Sequence, residues 1–399
     1  MAQKKKFKFK SRSVIFPKMG GLKKWIKNIK KIKWKNNSSL ILPIILAVIG
    51  TGLLVTTHSY DTIYRTVSYK KETTDAHTFA AFKNGVIRYN KDGVAFLNRR
   101  NDELWIHSSQ FGTPILDVSE DAFAIADVGG NAIQVFTEQG LKGEIETKLP
   151  IEKISISGQG IVSVILKSEL SSVIVTYDST GNVLVENQIN AVSMGYPTAL
   201  ELSPDGTMLA VAYLDVSSAA VNTKVICYNF GTAGEKNKNY EASVEEYKDA
   251  YIPELYYMND STLVAVSDQS FIVYEGKEKP IKKKEVAIDQ QIKSVFHTDK
   301  YIGFILLNES KSGYEARLYN KNGQQVMNRS FEGEYTKVQM QDDEIIMYTG
   351  SHCCILTKTG LVKFEGNLKT DAELVLETKG LNKYLVMSAN ELRTVRLLK

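Results

Sequence analysis

A short strand that runs into a glycine turn, followed by a second strand, recurs through most of this chain. Clear copies are Ile133–Gly140, Val173–Gly181, Arg317–Gly323 and Cys354–Gly360, and weaker copies end at Gly231 and Gly276. Successive turn glycines are separated by 41, 50, 45, 47 and 37 residues. Glycine supplies the positive φ that a tight hairpin needs, so each copy predicts a β-hairpin. Repeats of about 40–50 residues that contain several short strands are typical of a β-propeller.

Extending this period toward both ends of the chain gives eight units. Val94–His107 predicts an earlier hairpin, and Glu391–Leu398 predicts a strand with nothing after it. Thr62–Tyr69 alternates as an edge strand does, and we predict that it pairs with the last unit and closes the ring. The sequence therefore predicts an all-β, eight-bladed propeller. Seven blades are the alternative, because residues 215–250 diverge from the repeat and include a long polar insertion at 234–249.

An uncharged segment precedes the repeats. No residue from 38 to 57 is charged, and twenty helical residues span about 30 Å, the thickness of a bilayer core. Residues 1–38 contain fourteen Lys and Arg and no Asp or Glu, and such a flank stays in the cytoplasm. We predict a cytoplasmic tail at 1–37, a single transmembrane helix at 38–57 and an extracytoplasmic propeller at 58–399. A cleaved signal peptide is the alternative, although no Ala-x-Ala-like site follows the apolar stretch.

The basic tail has a pattern of its own. Apolar residues recur at helical spacing between its lysines, at Leu22, Trp25, Ile26, Ile29 and Ile32. This pattern suits an amphipathic helix on the inner leaflet, with a disordered basic tail as the open alternative. The tail also explains the formal net charge of +5, because the remaining residues carry a net charge of about −9. A nucleic-acid partner is therefore not predicted.

Few residue clusters in the sequence suggest chemistry. His352-Cys353-Cys354 contains potential metal ligands, but adjacent side chains on a strand point to opposite faces. We predict that both cysteines and Cys227 are small buried side chains, and we predict no catalytic residue, metal or cofactor. The acidic clusters Glu245-Glu246, Asp342–Glu344 and Asp117–Asp121 are interpreted as solvated loops, since none has calcium-loop spacing.

Two aromatic segments in the fourth unit are candidate docking points for a partner. Gly195-Tyr196-Pro197 opens this unit, and Tyr228-Asn229-Phe230 ends its third strand. Aromatic side chains at strand ends can line the face of a propeller on which a partner docks. Tyr196, Tyr228, Asn229 and Phe230 are therefore the candidate partner-binding residues, with a packing role as the alternative.

Together with Pro150–Lys153, Ser203–Gly206 and Lys300–Gly303, these segments resemble a family of Firmicutes membrane-anchored propeller proteins of unknown function. The resemblance covers roughly residues 40–399. It implies a WD40-like or quinoprotein-like propeller on the cell surface, and it implies no activity, substrate or cofactor. The repeated Trp of quinoprotein enzymes is lacking, because Trp105 is the sole Trp after the apolar segment.

These observations favour a binding or scaffold module of the cell envelope rather than an enzyme. The expected partners are the lipid bilayer and either a protein or a cell-wall polymer. An extracytoplasmic hydrolase or lactonase with a metal in the propeller channel is one alternative. A sensor or signalling partner that acts through the basic tail is another.

Overall fold

The structure is a computed structural model that describes residues 59–70, 77–168, 171–189, 194–215, 220–308 and 313–398. The predicted tail and membrane span lie outside these residues. Inside them, no helix has both the length and the apolar character needed to cross a membrane.

The described residues form eight antiparallel sheets of four strands each. Each sheet is one blade, and the strands of a blade are ordered from the channel to the rim. Blade 8 takes its outer strand, β1 (Thr62–Lys70), from the start of the described chain. The prediction of an eight-bladed all-β propeller is therefore confirmed, as is the predicted pairing of the first and last strands.

The first four blades follow one another along the chain. Blade 1 contains β2 (Thr78–Phe82), β3 (Gly85–Asn90), β4 (Gly93–Asn98) and β5 (Glu103–Ser108). Blade 2 contains β6 (Pro114–Val118), β7 (Phe123–Asp127), β8 (Ala132–Thr137) and β9 (Gly140–Glu146). Blade 3 contains β10 (Ile151–Ile156), β11 (Val162–Lys167), β12 (Ser172–Tyr177) and β13 (Val183–Ile189). Blade 4 contains β14 (Tyr196–Leu202), β15 (Met208–Asp215), β16 (Asn222–Asn229) and β17 (Glu241–Tyr247).

The other four blades complete the ring. Blade 5 contains β18 (Glu254–Asn259), β19 (Thr262–Val266), β20 (Ser270–Glu275) and β21 (Ile281–Ala287). Blade 6 contains β22 (Ile292–His297), β23 (Tyr301–Asn308), β24 (Gly313–Asn320) and β25 (Gln325–Phe331). Blade 7 contains β26 (Lys337–Gln341), β27 (Glu344–Thr349), β28 (His352–Thr357) and β29 (Val362–Asn367). Blade 8 contains β30 (Leu374–Glu377), β31 (Lys383–Ser388), β32 (Glu391–Leu398) and β1.

Side-chain burial explains why the strands of one blade differ in sequence. The second strand is covered on both faces by neighbouring blades, so β7 and β19 are nearly continuous apolar runs of buried residues. The outer strand β5 has one face near solvent, and burial alternates along its six residues. Both patterns follow from the period of two in a strand.

The hydrophobic core is divided among the gaps between neighbouring blades. Eight clusters of buried apolar side chains each join two adjacent blades, including blades 8 and 1. Between blades 1 and 2, Trp105 stacks on Phe136 with ring centroids 5.2 Å apart. Since each cluster joins two neighbouring blades, each gap contributes separately to the stability of the ring.

The pairing of β1 with β32 closes the ring. Ile63 is buried in the cluster between blades 7 and 8. The buried carboxylate of Glu391 accepts hydrogen bonds from Ser68 and, at 2.6 Å, from Arg393, and Arg65 lies 3.7 Å away. These hydrogen bonds, the Arg393 bond foremost, lower the pKa of Glu391. The carboxylate therefore holds the first described strand to the last.

The alternating strand directions define two faces of the propeller. The connector face carries the loops between successive blades and between the second and third strands of each blade. The hairpin face carries the remaining loops. The predicted glycine turns lie on the hairpin face, and Gly140, Gly181, Gly276, Gly323 and Gly360 have positive φ.

One boundary differs from the sequence prediction. The insertion predicted at 234–249 is shorter, because Glu241–Tyr247 forms the outer strand β17. The insertion instead connects β16 to β17 on the hairpin face and contains a turn of 3-10 helix at Lys238–Tyr240. In β17, Ala242 and Tyr247 are buried, whereas Val244 and Glu246 are exposed. Three glutamates and one serine give this strand the composition of a loop, which accounts for the difference.

Candidate binding surfaces

Two cavities lie among the first strands of the blades. One, of about 380 Å³, is lined by β6, β10, β14 and residues 253–256 in blades 2 to 5. The other, of about 520 Å³, lies among blades 1, 6, 7 and 8. Their walls mix apolar and polar side chains. In the described residues, no three His, Cys, Asp or Glu side chains are grouped closely enough to hold a metal ion.

Three polar side chains from consecutive blades meet beside the first cavity, whose lining includes Asp117. Asp117 lies on β6, Ser155 on β10 and Glu201 on β14. The Ile156 N–H donates to Asp117 Oδ2 at 2.6 Å, and the Leu202 N–H donates to Ser155 Oγ at 2.9 Å. Each of these two side chains thus accepts a hydrogen bond from the backbone of the next blade.

The interpretation of Asp117–Asp121 as a solvated loop is wrong for Asp117, which is half-buried on a strand. Glu245 and Glu246 likewise lie on β17, and Glu344 begins β27. A repeated sequence pattern marks the positions of Asp117, Ser155 and Glu201. A polar residue, an apolar residue and a serine occur at 117–119, 155–157 and 201–203, each just before a loop of the hairpin face. Its spacing of 38 and 46 residues matches the blade repeat.

Tyr256, Glu254 and His297 continue this wall into blades 5 and 6. The Tyr256 hydroxyl donates to Glu254 Oε2 at 2.6 Å, and its ring lies 4.2 Å from the His297 ring, centroid to centroid. Burial, followed by the hydrogen bond to Glu254, raises the pKa of Tyr256. Although His297 is partly exposed to solvent, desolvation lowers the pKa of His297 to about 4. His297 is therefore neutral at pH 7.

Tyr196 and two other exposed, largely apolar residues lie on the connector face of blade 4 and its link to blade 5. The Tyr196 side chain is 54% exposed, and Val221 and Tyr251 on the same face are 46% and 39% exposed. The Ala250 N–H donates to the Val221 carbonyl at 3.0 Å, which holds the last two residues side by side. Asp249 and Asp268 are exposed next to Tyr251. We call Tyr196, Val221 and Tyr251 the tyrosine patch.

The other three candidate partner-binding residues lie on the opposite, hairpin face. Tyr228 is buried, and its hydroxyl is 2.8 Å from that of Tyr213. Asn229 is also buried, and its Nδ2 donates to the Glu278 carbonyl at 2.8 Å. Phe230 is half-buried against Tyr240 of the insertion. The structure therefore does not bring these three residues together with Tyr196, and partner binding by them stays a prediction.

The three cysteines are buried as predicted. Cys353 packs between blades 7 and 8, Cys354 between blades 6 and 7, and Cys227 between blades 4 and 5. His352 is exposed and stacks on Tyr335. Burial raises the pKa of Cys227 and of Cys354 to about 12, and it raises that of Cys353 as well.

These thiols should not react in the folded protein. We expect maleimide to label none of the three cysteines in the native chain and all three after unfolding in urea, because only an accessible thiolate is a good nucleophile. Mass spectrometry of both samples measures this, with Lys279→Cys as an exposed positive control. Rapid labelling of a native cysteine while the control reacts normally would contradict the burial.

The sequence matches one known family. Residues 56–397 match the profile of a family of unknown function, DUF5711. No curated protein matches the chain.

Solved propellers resemble the fold. BamB from Moraxella catarrhalis superposes with a TM-score of 0.51 at 11% sequence identity, covering 84% of this chain and 100% of that chain. A eukaryotic initiation factor gives a TM-score of 0.48 at 11% identity, covering 74% of this chain and 80% of that one. The Pan2 WD40 domain of Neurospora crassa gives 0.42 at 11% identity, covering 72% and 89%. At this identity, the likeness to BamB shows the fold alone.

Proposed function

The chain belongs to the family of unknown function DUF5711, and we propose that its propeller is a protein-binding module of the cell envelope. In this proposal, residues 38–57 anchor the chain in the cell membrane, and the propeller lies outside. The basic flank at 1–38 and the uncharged segment after it support this topology. A protein is the proposed partner, and the tyrosine patch is its docking point.

The exposure of the tyrosine patch carries the proposal. Tyr196 and Tyr251 present aromatic rings to solvent on the same face, with Val221 exposed beside Tyr251. Tyrosine is enriched among the residues that dominate binding energy at protein interfaces, because it adds large contact area at low entropic cost. The Ala250 N–H donates to the Val221 carbonyl and the Tyr251 N–H to Asp268 Oδ1, which holds the backbone at Val221 and Tyr251. A preformed surface of this kind does not have to be ordered when a partner binds.

The test is capture of the partner by cross-linking in cells. We expect full-length protein to cross-link to one defined envelope protein, and Tyr196→Ala with Tyr251→Ala to weaken that binding by roughly 30-fold, as expected for an interface hot spot. Quantitative mass spectrometry of the cross-linked products measures the loss. Tyr64→Ala is the matched control, because Tyr64 is 60% exposed on the outer strand β1, outside the patch.

Two results would contradict the proposal. One is equal capture of the same partner by the patch variant and the wild type, which would place the interface elsewhere. The other is an equal loss with Tyr64→Ala, which would show that the effect is not specific to the patch.

A further inference from the structure

The side chains of Asp117, Ser155 and Glu201 together offer more hydrogen-bond acceptors than donors. Ser155 Oγ lies 3.3 Å from Glu201 Oε2 and has one hydroxyl proton to donate. The same hydroxyl also hydrogen-bonds to the carboxyl group of Asp117. That carboxyl group accepts a further hydrogen bond from the Ile156 N–H. The carboxyl group of Glu201 accepts a hydrogen bond from the Tyr257 N–H. Two carboxyl groups therefore share a single side-chain donor.

The charged groups packed around this pair do not neutralise it. On β10, Lys153 donates to the Thr198 carbonyl and Glu152 is exposed. On β18, Glu254 accepts the Tyr256 hydroxyl, and the Tyr257 hydroxyl is buried without a hydrogen-bond partner among the described residues. On β22, His297 is neutral at pH 7 because its pKa is lowered to about 4.

Burial and mutual repulsion both favour a bound proton. Burial raises the pKa of Asp117 to about 6, against the opposing hydrogen bonds from Ile156, Val118 and Ser155. Burial, and after it the charge of Asp117, raise the pKa of Glu201 well above its usual value. Two interacting carboxyl groups of this kind release their protons in steps that belong to the pair.

We propose that Asp117, Ser155 and Glu201 form a proton-binding group in the channel wall, and that loss of its proton weakens the packing among blades 2, 3 and 4. With the proton present, a carboxylic acid adds the missing hydrogen-bond donor between the blades. Without it, two carboxylates repel each other across Ser155. The cavity between these blades is then more open at higher pH.

The proposal fixes the sign of the pH dependence. The exposed carboxyl groups of the unfolded chain lose their protons near about pH 4, whereas the folded pair keeps a proton to about pH 6 or above. The folded protein therefore binds more protons than the unfolded chain in this range. The contribution of this group to the free energy of unfolding is therefore greatest below about pH 4. This contribution is lost as the pH rises through the pKa of the folded protein.

Carboxyl ¹³C NMR of the full-length protein in detergent micelles tests the proton directly. We expect one carboxyl resonance with a midpoint near pH 6 in the wild type, absent in Asp117→Asn. A second carboxyl resonance, absent in Glu201→Gln, should titrate at higher pH in the wild type and move to lower pH in Asp117→Asn, because the negative charge of Asp117 is removed. Glu152→Gln, which alters an exposed carboxyl of the same cavity, should leave it unchanged. The proposal is overturned if every wild-type carboxyl titrates below about pH 5.

Urea unfolding as a function of pH tests the link to packing. We expect the unfolding midpoint of the wild type to decrease between about pH 4 and pH 7, and that of Asp117→Asn to decrease less. An equal slope in both proteins would overturn the link, since a purely structural role of Asp117 changes stability at all pH values alike. If Asp117→Asn does not fold, the slope of Glu201→Gln and the wild-type NMR titration decide the question.

Discussion

Deletion of residues 60–70 should lower the melting temperature of the propeller by roughly 10 °C or more. The deletion removes the outer strand of blade 8 and exposes the edge of β32 to solvent. It removes Ile63 from the apolar cluster between blades 7 and 8. It also removes the hydrogen bond of Ser68 and the ion pair of Arg65 with the buried Glu391. Loss of an apolar side chain costs about 1.5–3 kcal/mol and loss of a buried carboxylate's partners adds to this, so the free energy of unfolding should decrease on the order of 5 kcal/mol.

Fluorescence of Trp105 measures this unfolding, once Trp25 and Trp34 are replaced by Phe, because its ring is stacked between blades 1 and 2. A variant with a Gly-Ser segment in place of residues 60–70 keeps the length of the chain but lacks the strand. We expect this variant to be as unstable as the deletion. Tyr64→Ala keeps the backbone pairing and removes an exposed ring, so it should change stability by less than about 0.5 kcal/mol. An unchanged melting temperature in the deletion would contradict closure by β1.

Lys363→Met should destabilise the protein by about 3–5 kcal/mol. The Lys363 ammonium and the Tyr384 hydroxyl both donate to the carboxylate of Glu344, between blades 7 and 8. The side chains of Lys363 and Glu344 are 16% and 11% exposed. The substitution leaves the Glu344 charge without a cation in a poorly solvated site. Urea unfolding of the single variant measures the loss.

The matched control is the double variant Glu344→Gln with Lys363→Met, which removes both charges while the Gln carbonyl still accepts from the Tyr384 hydroxyl. We expect it to recover most of the lost stability, because removing both charges avoids the cost of one unpaired charge. A double variant as unstable as the sum of both single variants would show that Glu344 and Lys363 act independently. That result would contradict the assignment of the pair.

Most of the fold follows from local sequence signals. The glycine turns set the period of the repeat, and an unpaired strand at each end of the repeats, Thr62–Tyr69 and Glu391–Leu398, predicts how the ring closes. The outer strand β17 was the exception. Its sequence Glu-Ala-Ser-Val-Glu-Glu-Tyr buries Ala242 and Tyr247, but three glutamates and one serine give it the composition of a loop.

The candidate surfaces were harder to predict, because they depend on which ends of the strands meet. Tyr196 begins a first strand and Asn229 ends a third strand, and β14 and β16 run in the same direction. The two residues therefore lie on opposite faces, although both belong to blade 4. Asp117 and Glu201 are far apart in the chain and become neighbours only through the order of the blades. Such residues occupy equivalent positions in successive repeats, so an alignment of the repeats predicts their proximity and a local motif does not.

The pairing of β1 with β32 also affects the order in which the propeller can fold during synthesis. The hydrogen bond from Thr62 Oγ1 to the Leu398 carbonyl joins positions 336 residues apart. Strand β1, the first strand of the propeller to be synthesised, thus has its partner only after Leu398 has been added. Blades 1 to 7 are built from strands that are consecutive in the chain, and they can form while synthesis continues. Until β32 has been synthesised, β1 lacks its partner strand, and such an unpaired edge can join another chain.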